Sequence, residues 1–160
     1  MTQPAQKIIE LLGRKKLTLA VTESATGGLI SHMLTSVPGS SAVYKGSVTA
    51  YSNQVKMNVL GVKAETLEKF GAVSSQVAEE MALGGCRVLD ADICVSDTGI
   101  AGPGGATFEK PVGLFYLGLA HHRVAFSQKC LFHGNRDENK DYAAQTVLDW
   151  LDKYIQNGRV

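Results

Sequence analysis

No apolar run in the chain approaches the ~20 residues that a bilayer-spanning helix needs. Its first residues, Met1-Thr2-Gln3-Pro4, lack the basic-then-apolar layout of a secretory signal. A membrane partner and export are therefore not expected, and the expected location is cytoplasmic. Excess charge of either sign is missing too, since 16 basic residues face 15 acidic ones. Nucleic-acid binding rests on a clustered basic face, so no nucleic-acid partner is expected. Cysteine is scarce: Cys86, Cys94 and Cys130 are odd in number and widely spaced, which fits neither a metal-type pair nor a disulfide framework. They read as buried thiols of a reducing compartment. His32, His121 and His122 have no carboxylate or cysteine at ligand spacing, so no metal site is expected. None of them pairs evidently with a serine, which leaves a Ser-His-Asp triad unsupported.

What is present is ordinary globular material, with 44% apolar and 19% charged residues. A length of 160 residues suits a single domain over 1–160 with one core. Ala5, Ile8, Ile9 and Leu12 recur at helical spacing, predicting a helix over 3–13. Strands are expected over 17–22, 43–51, 93–96 and 112–120. The last of these is nearly all apolar, as in a strand covered on both faces. His121-His122-Arg123 fits a tight turn, followed by a hairpin partner through Val124, Phe126, Cys130 and Phe132. Helices are expected after Gly28, after Ser52-Asn53, over 64–70, after Ser74 or Ser75 with Val77, Met81, Gly84 and Val88 inward, and from Asn135 to the end. Strands interleaved with helices predict an α/β fold, a three-layer α/β/α sandwich with a mixed, mostly parallel sheet.

Four polar clusters stand out, three of them directly after predicted strands, where open α/β sheets bind ligands. In Glu23-Ser24-Ala25-Thr26-Gly27-Gly28, a serine sits between strand and helix, where backbone N–H groups can hold an anion or a developing oxyanion. The simpler alternative makes Ser24 or Thr26 an N-cap. In Tyr51-Ser52-Asn53-Gln54-Val55-Lys56, a lysine in the first turn of a helix is locally disfavoured by the dipole. It could serve a nearby serine as general base if desolvation lowers its proton affinity. On spacing alone, a solvated surface lysine is the simpler reading. The run Asp97-Thr98-Gly99-Ile100-Ala101-Gly102-Pro103-Gly104-Gly105 offers a hydroxyl and flexible backbone to a ligand, or is a connecting loop. In His133-Gly134-Asn135-Arg136-Asp137, Arg136 could clamp a phosphate or carboxylate, or pair with Asp137 or Glu138.

Taken in order, Glu-Ser-x-Thr-Gly-Gly, Tyr-Ser-Asn-x-x-Lys, Gly-Ala-Val-Ser at 71–74, Thr-Gly-Ile-Ala-Gly-Pro at 98–103, Lys-Pro-Val-Gly at 110–113 and Gly-x-Arg at 134–136 resemble the CinA C-terminal domain family. The likeness covers roughly residues 5–155. It implies a compact α/β/α sandwich in stand-alone form and nicotinamide mononucleotide deamidase activity: hydrolysis of the carboxamide to nicotinic acid mononucleotide and ammonia, in pyridine nucleotide recycling. It implies no metal or organic cofactor and a small-molecule substrate. The resemblance implies that Ser24 is the nucleophile and that Tyr51, Lys56 and Thr98 fall on motif positions; with Lys56 read as the base of Ser24, these four form the expected catalytic set. Thr26, Gly27, Gly28, Gly99 and Arg136 would bind substrate. A homodimer is the base-rate expectation for a compact enzyme of this size. Two positions depart from the common pattern: Ala25 stands where a cysteine is usual, and Asn135 where an aspartate is usual. A non-catalytic nucleotide-binding or partner-docking domain, or an amidase for another small carboxamide, are the alternatives.

Overall fold

A computed structural model describes residues 3–158 and 160. Helix α1 (Gln3–Lys15) buries Ala5, Ile8, Ile9 and Leu12 on one stripe and ends on Arg14 and Lys15, cations that favour a helix C-terminus. The chain continues through β1 (Leu19–Glu23), α2 (Leu29–Thr35), a 3₁₀ turn and β2 (Tyr44–Thr49). Next come α3 (Asn53–Leu60), α4 (Ala64–Phe70), α5 (Ser75–Leu89) and β3 (Ile93–Gly99). The hairpin β4 (Leu114–His121) and β5 (Val124–Leu131) and the long helix α6 (Arg136–Gln156) complete it. No helix among the described residues is long and apolar enough to cross a membrane.

The five strands form one sheet in the order β2-β1-β3-β4-β5. Strand β1 pairs in parallel with both β2 and β3, whereas β3–β4 and β4–β5 are antiparallel. The sheet is thus mixed in equal parts. The β4–β5 hairpin accounts for this, because β4 enters from the long loop at the carboxyl edge of β3 and runs back along it. Its turn places His122 at φ 52 and Arg123 at φ 64. Two successive left-handed residues give the tight connection that matches the twist of antiparallel strands.

Helices cover both faces. On one face, α1, α2 and α6 bury Ile8, Leu12, Ile30, Leu34, Val147 and Leu151 against Val21, Val95 and Leu117. On the other, Ala50, Leu60, Val62, Val77 and Met81 form a smaller cluster under α3 and α5. The inner face of α5 is built from small residues: Ala78, Ala82, Gly84 and Gly85 are buried beside Val77 and Met81. Val88, expected inward, is 40% exposed in the last turn. A Cβ on Gly84 would run into the Leu60 carbonyl. Alanine is better than glycine in a helix by about 1 kcal/mol, but a backbone clash in a packed layer costs about 3 kcal/mol. Gly84→Ala is therefore expected to lower Tm by about 6 °C, read by calorimetry.

The arrangement has one consequence for function. Three parallel strands end at the same edge of the sheet, so residues following β1, β2 and β3 converge although they are far apart in sequence. Ser74, at the N-cap of α5, and Ser52, at that of α3, each accept a helix N–H, from Val77 and Val55. These caps fix where the two helices begin over that edge.

Candidate active site

The turn after β1 is held from the core side by two buried carboxylates. Glu23, the last residue of β1, accepts hydrogen bonds from the N–H groups of Gly28 (2.9 Å), Ile30 (3.1 Å) and Ser31 (2.9 Å). It also accepts from the hydroxyls of Thr26 (2.7 Å) and Ser31. Glu23 is fully buried, a placement tolerated only when the charge is well hydrogen-bonded. Five donors meet that demand. The N-cap of α2 is Gly28, at φ 105, and it has no side-chain cap bond of its own. The capping group is thus Glu23 acting from the strand, and neither Ser24 nor Thr26 caps the helix.

Asp97, near the end of β3, accepts from the N–H of Ser24 (3.0 Å) and the N–H of Thr26 (3.1 Å), and its carboxyl also contacts the Thr26 hydroxyl. Burial pushes its carboxyl up to about 6, against the opposing pull of these hydrogen bonds. The expectation for Thr26, Gly27 and Gly28 changes accordingly. The N–H groups of Thr26 and Gly28 are consumed by the chain's own carboxylates, and none of the three residues lines the cavity described below. The Thr26 hydroxyl is turned toward Glu23 and Asp97. Ser24 therefore carries the only hydroxyl of the turn that faces the cavity.

Lys56 lies on the other side of Ser24. Its Nζ is 2.9 Å from Ser24 Oγ, 2.9 Å from the Ala50 carbonyl and 3.1 Å from the Tyr51 carbonyl. The side chain is 1% exposed, so the solvated-surface reading does not hold. The cause is topological: β2 ends beside β1, the chain turns at Ser52 into α3, and the first turn of that helix returns Lys56 over the strand ends. Burial lowers the proton affinity of the amine, and the charge of Asp97 partly opposes this. The three neighbours fix what each protonation state can do. The two carbonyls can only accept. When the amine is neutral its two protons satisfy them, and its lone pair is left facing the Ser24 hydroxyl.

Ser24, Ala25, Tyr51, Lys56, Thr98, Gly99 and Arg136 line one cavity of about 300 Å³, near the lower end of the range of small-molecule sites. Tyr51 is 63% exposed at its mouth. The Arg136 guanidinium donates to the Gly102 carbonyl (2.7 Å) and to the Tyr51 hydroxyl (3.3 Å). It does not pair with Asp137 or Glu138. Asn135 caps α6 by accepting from the Glu138 N–H at 3.0 Å, and Glu138 returns a bond to the Asn135 N–H at 2.8 Å. Position 135 thus serves the helix rather than the arginine, a task Asn and Asp perform equally well. Thr98 donates to the Ala72 carbonyl at 2.7 Å, tying the end of β3 to the 71–74 segment on the cavity wall. Gly99 has a packing reason as well, since a Cβ there would run into the Phe115 ring.

Three residues with supporting roles escaped the motif reading. Glu23 and Asp97 were in view within their clusters but without a role. Asn139 lies on the buried face of α6 and donates to the carbonyls of Ala101 (3.0 Å) and Gly134 (2.9 Å), joining the 99–105 loop to the helix. The usable signal would have been acidic residues inside otherwise apolar strand ends, where an unpaired charge is not tolerated.

A buried serine–lysine pair at the carboxyl edge of a mixed sheet, opening into a cavity, sits in a small α/β/α sandwich domain. The chain belongs to the CinA C-terminal domain family, whose model matches residues 1–155. It is 49% identical over 140 residues to a CinA-like protein of Syntrophomonas wolfei, covering 88% of this chain. The chain spans only 34–38% of the length of the curated relatives it matches. Among solved structures, it resembles the competence/damage inducible protein CihA from Agrobacterium tumefaciens, with 40% identity and TM-score 0.90 over 94% of this chain and 92% of that one. It also resembles a competence-damaged protein (CinA) superfamily protein from Klebsiella pneumoniae 700603, with 27% identity and TM-score 0.94 over 98% of both chains.

Proposed function

We propose that this domain is a nicotinamide-nucleotide amidase that hydrolyses the carboxamide of nicotinamide mononucleotide to nicotinic acid mononucleotide and ammonia. The observation that carries the reading is the contact of Lys56 Nζ with Ser24 Oγ, in a pocket where both other neighbours of the amine are carbonyl acceptors. A serine hydroxyl needs an adjacent base to become a nucleophile, and Lys56 is the base within reach. The choice of substrate rests on the family resemblance. A cationic Arg136 at the cavity mouth is suited to a phosphate or a polar ribose edge.

The reaction then runs as acyl transfer. Ser24 Oγ attacks the carboxamide carbon as its proton passes to Lys56. The resulting ammonium gives that proton to the departing amide nitrogen, and ammonia leaves. Water, deprotonated by Lys56, attacks the Ser24 ester. Collapse returns the proton to Ser24 Oγ and frees the carboxylate product. The expected oxyanion donors at Thr26 and Gly28 are engaged elsewhere, so the donor assigned here is the Ala25 N–H. It meets no acceptor among the described residues, and Ala25 lines the cavity. Tyr51 and Thr98 would shape the amide end of the pocket. No cofactor enters this scheme.

The test is ammonia release from the mononucleotide, the riboside and free nicotinamide. The mononucleotide is expected to exceed the riboside at least 10-fold in kcat/KM, and Arg136→Ala to shrink that ratio several-fold. Equal rates on all three would assign another small carboxamide. Tight binding of the mononucleotide without ammonia would instead make this a binding or partner-docking domain.

A further inference from the structure

We propose that Asp97 is a positioning residue for this site, which fixes the Ser24 turn from behind and supplies the negative charge against which the Lys56 amine holds its proton. Its chemical meaning rests on the amidase reading, whereas its geometry does not.

Two buried carboxylates share one hydroxyl. Thr26 Oγ1 lies 2.7 Å from Glu23 Oε2 and also contacts Asp97 Oδ1. One hydroxyl has one proton, so it donates to only one of the two carboxylates. With both ionised, the other contact sets lone pairs against each other. Glu23 has four further donors. Asp97 has only the N–H groups of Ser24 and Thr26 besides the shared hydroxyl. Below about pH 6 the relieving proton therefore belongs on Asp97, which then donates to Thr26 while Thr26 donates to Glu23. The upward displacement of Asp97 to about 6 agrees with this placement.

The other face of the turn completes the coupling. Lys56 contacts Ser24 Oγ and two carbonyls but forms no ion pair with any described residue. Asp97 is the charge to which it is coupled. The remaining groups around Asp97 are few. Strand β1 contributes Glu23, and α3 contributes Lys56. From α6, the Lys140 ammonium lies beyond Gly27. Strand β4 presents apolar Leu117 opposite Asp97.

The sign follows. As pH rises through about 6, Asp97 becomes an anion, and the amine of Lys56 becomes harder to deprotonate. Asn at 97 keeps the shape and removes that charge, so Lys56 should lose its proton at lower pH. A purely structural role would reduce activity without moving the titration.

The experiment follows the ¹³Cε signal of Lys56 in lysine-labelled protein, assigned with Lys56→Arg, and the kcat/KM–pH profile on nicotinamide mononucleotide. The wild-type signal is expected to show a minor step near pH 6 and a main step above it. In Asp97→Asn, the minor step should vanish. The main step and the acid limb of kcat/KM should both move down by about one unit. An unmoved main step in Asp97→Asn overturns the proposal. If that variant fails to fold, a wild-type titration without the step near pH 6 overturns it. A wild type that releases no ammonia refutes the amidase reading alone, since the Lys56 titration still decides the role of Asp97.

Discussion

Replacing Lys56 by methionine is expected to lower kcat on nicotinamide mononucleotide about 10³-fold, within the 10²–10⁴ range of a positioned general base. The stem of methionine fills much the same volume, and what disappears is the amine that takes the Ser24 proton. Two opposing effects act on stability. The Ala50 and Tyr51 carbonyls lose a donor, but water in the adjoining cavity can replace it. The cost of burying an amine whose charged form is disfavoured is also removed. Lys56 binds its proton less readily folded than unfolded. The unfolded chain therefore takes up more protons between the lowered folded value and 10.5, and wild-type stability rises with pH through that window. The methionine variant lacks this slope. Its Tm should stay within a few degrees of the wild type, comparing most favourably at low pH. Melting curves at pH 6 and pH 9 read the difference, and an ammonia assay reads the rate. A Lys56→Met protein retaining a tenth of wild-type activity would remove the lysine from the mechanism.

Ser24→Ala is expected to act more strongly still on rate and hardly at all on fold. Loss of an essential nucleophile costs about 10⁶ in kcat in a well-studied serine enzyme, and at least 10⁴ is expected here. Thr26 cannot stand in, because its hydroxyl is buried and committed to Glu23 and Asp97. The turn itself should persist, since Asp97 binds the Ser24 backbone N–H rather than its side chain. Tm should change by less than about 2 °C. Binding of nicotinamide mononucleotide, measured by calorimetry in the absence of turnover, should stay within about threefold. Wild-type ammonia release from this variant would end the acyl-transfer scheme.

Much of the frame was legible along the chain because its signals are local. The stripe of Ala5, Ile8, Ile9 and Leu12 and the caps at Ser52 and Ser74 each act within a few residues, and the elements fall where they point. The apolar run after 112 yields a strand beginning only at Leu114, because Gly113 takes φ 87 with no room for a Cβ against the Phe132 carbonyl. The balance of parallel and antiparallel pairs could not be read locally, since it depends on which edge β4 joins. The site divides in the same way. Ser24 and Thr98 could be placed at strand ends from the sequence. The burial of Lys56 could not, because the carbonyls and the serine that receive it come from neighbouring strands. The engagement of the Thr26 N–H was hidden for a related reason: free helix N–H groups are a fair local expectation, and only the tertiary fold brings Asp97 from 71 residues away to take one of them.

The two carboxylates behind the turn also bear on how such a site can change. Neither Glu23 nor Asp97 bonds to Ala25 or to the Ser24 hydroxyl; they grip backbone and Thr26 from the interior. Support and reactivity are thus carried by different atoms. The side chains at 24 and 25 can be exchanged, as a cysteine for Ala25, without loosening the mount that presents them. Inherited geometry can in this way outlast a given nucleophile, and relatives with different residues in the turn can share one scaffold while differing in turnover.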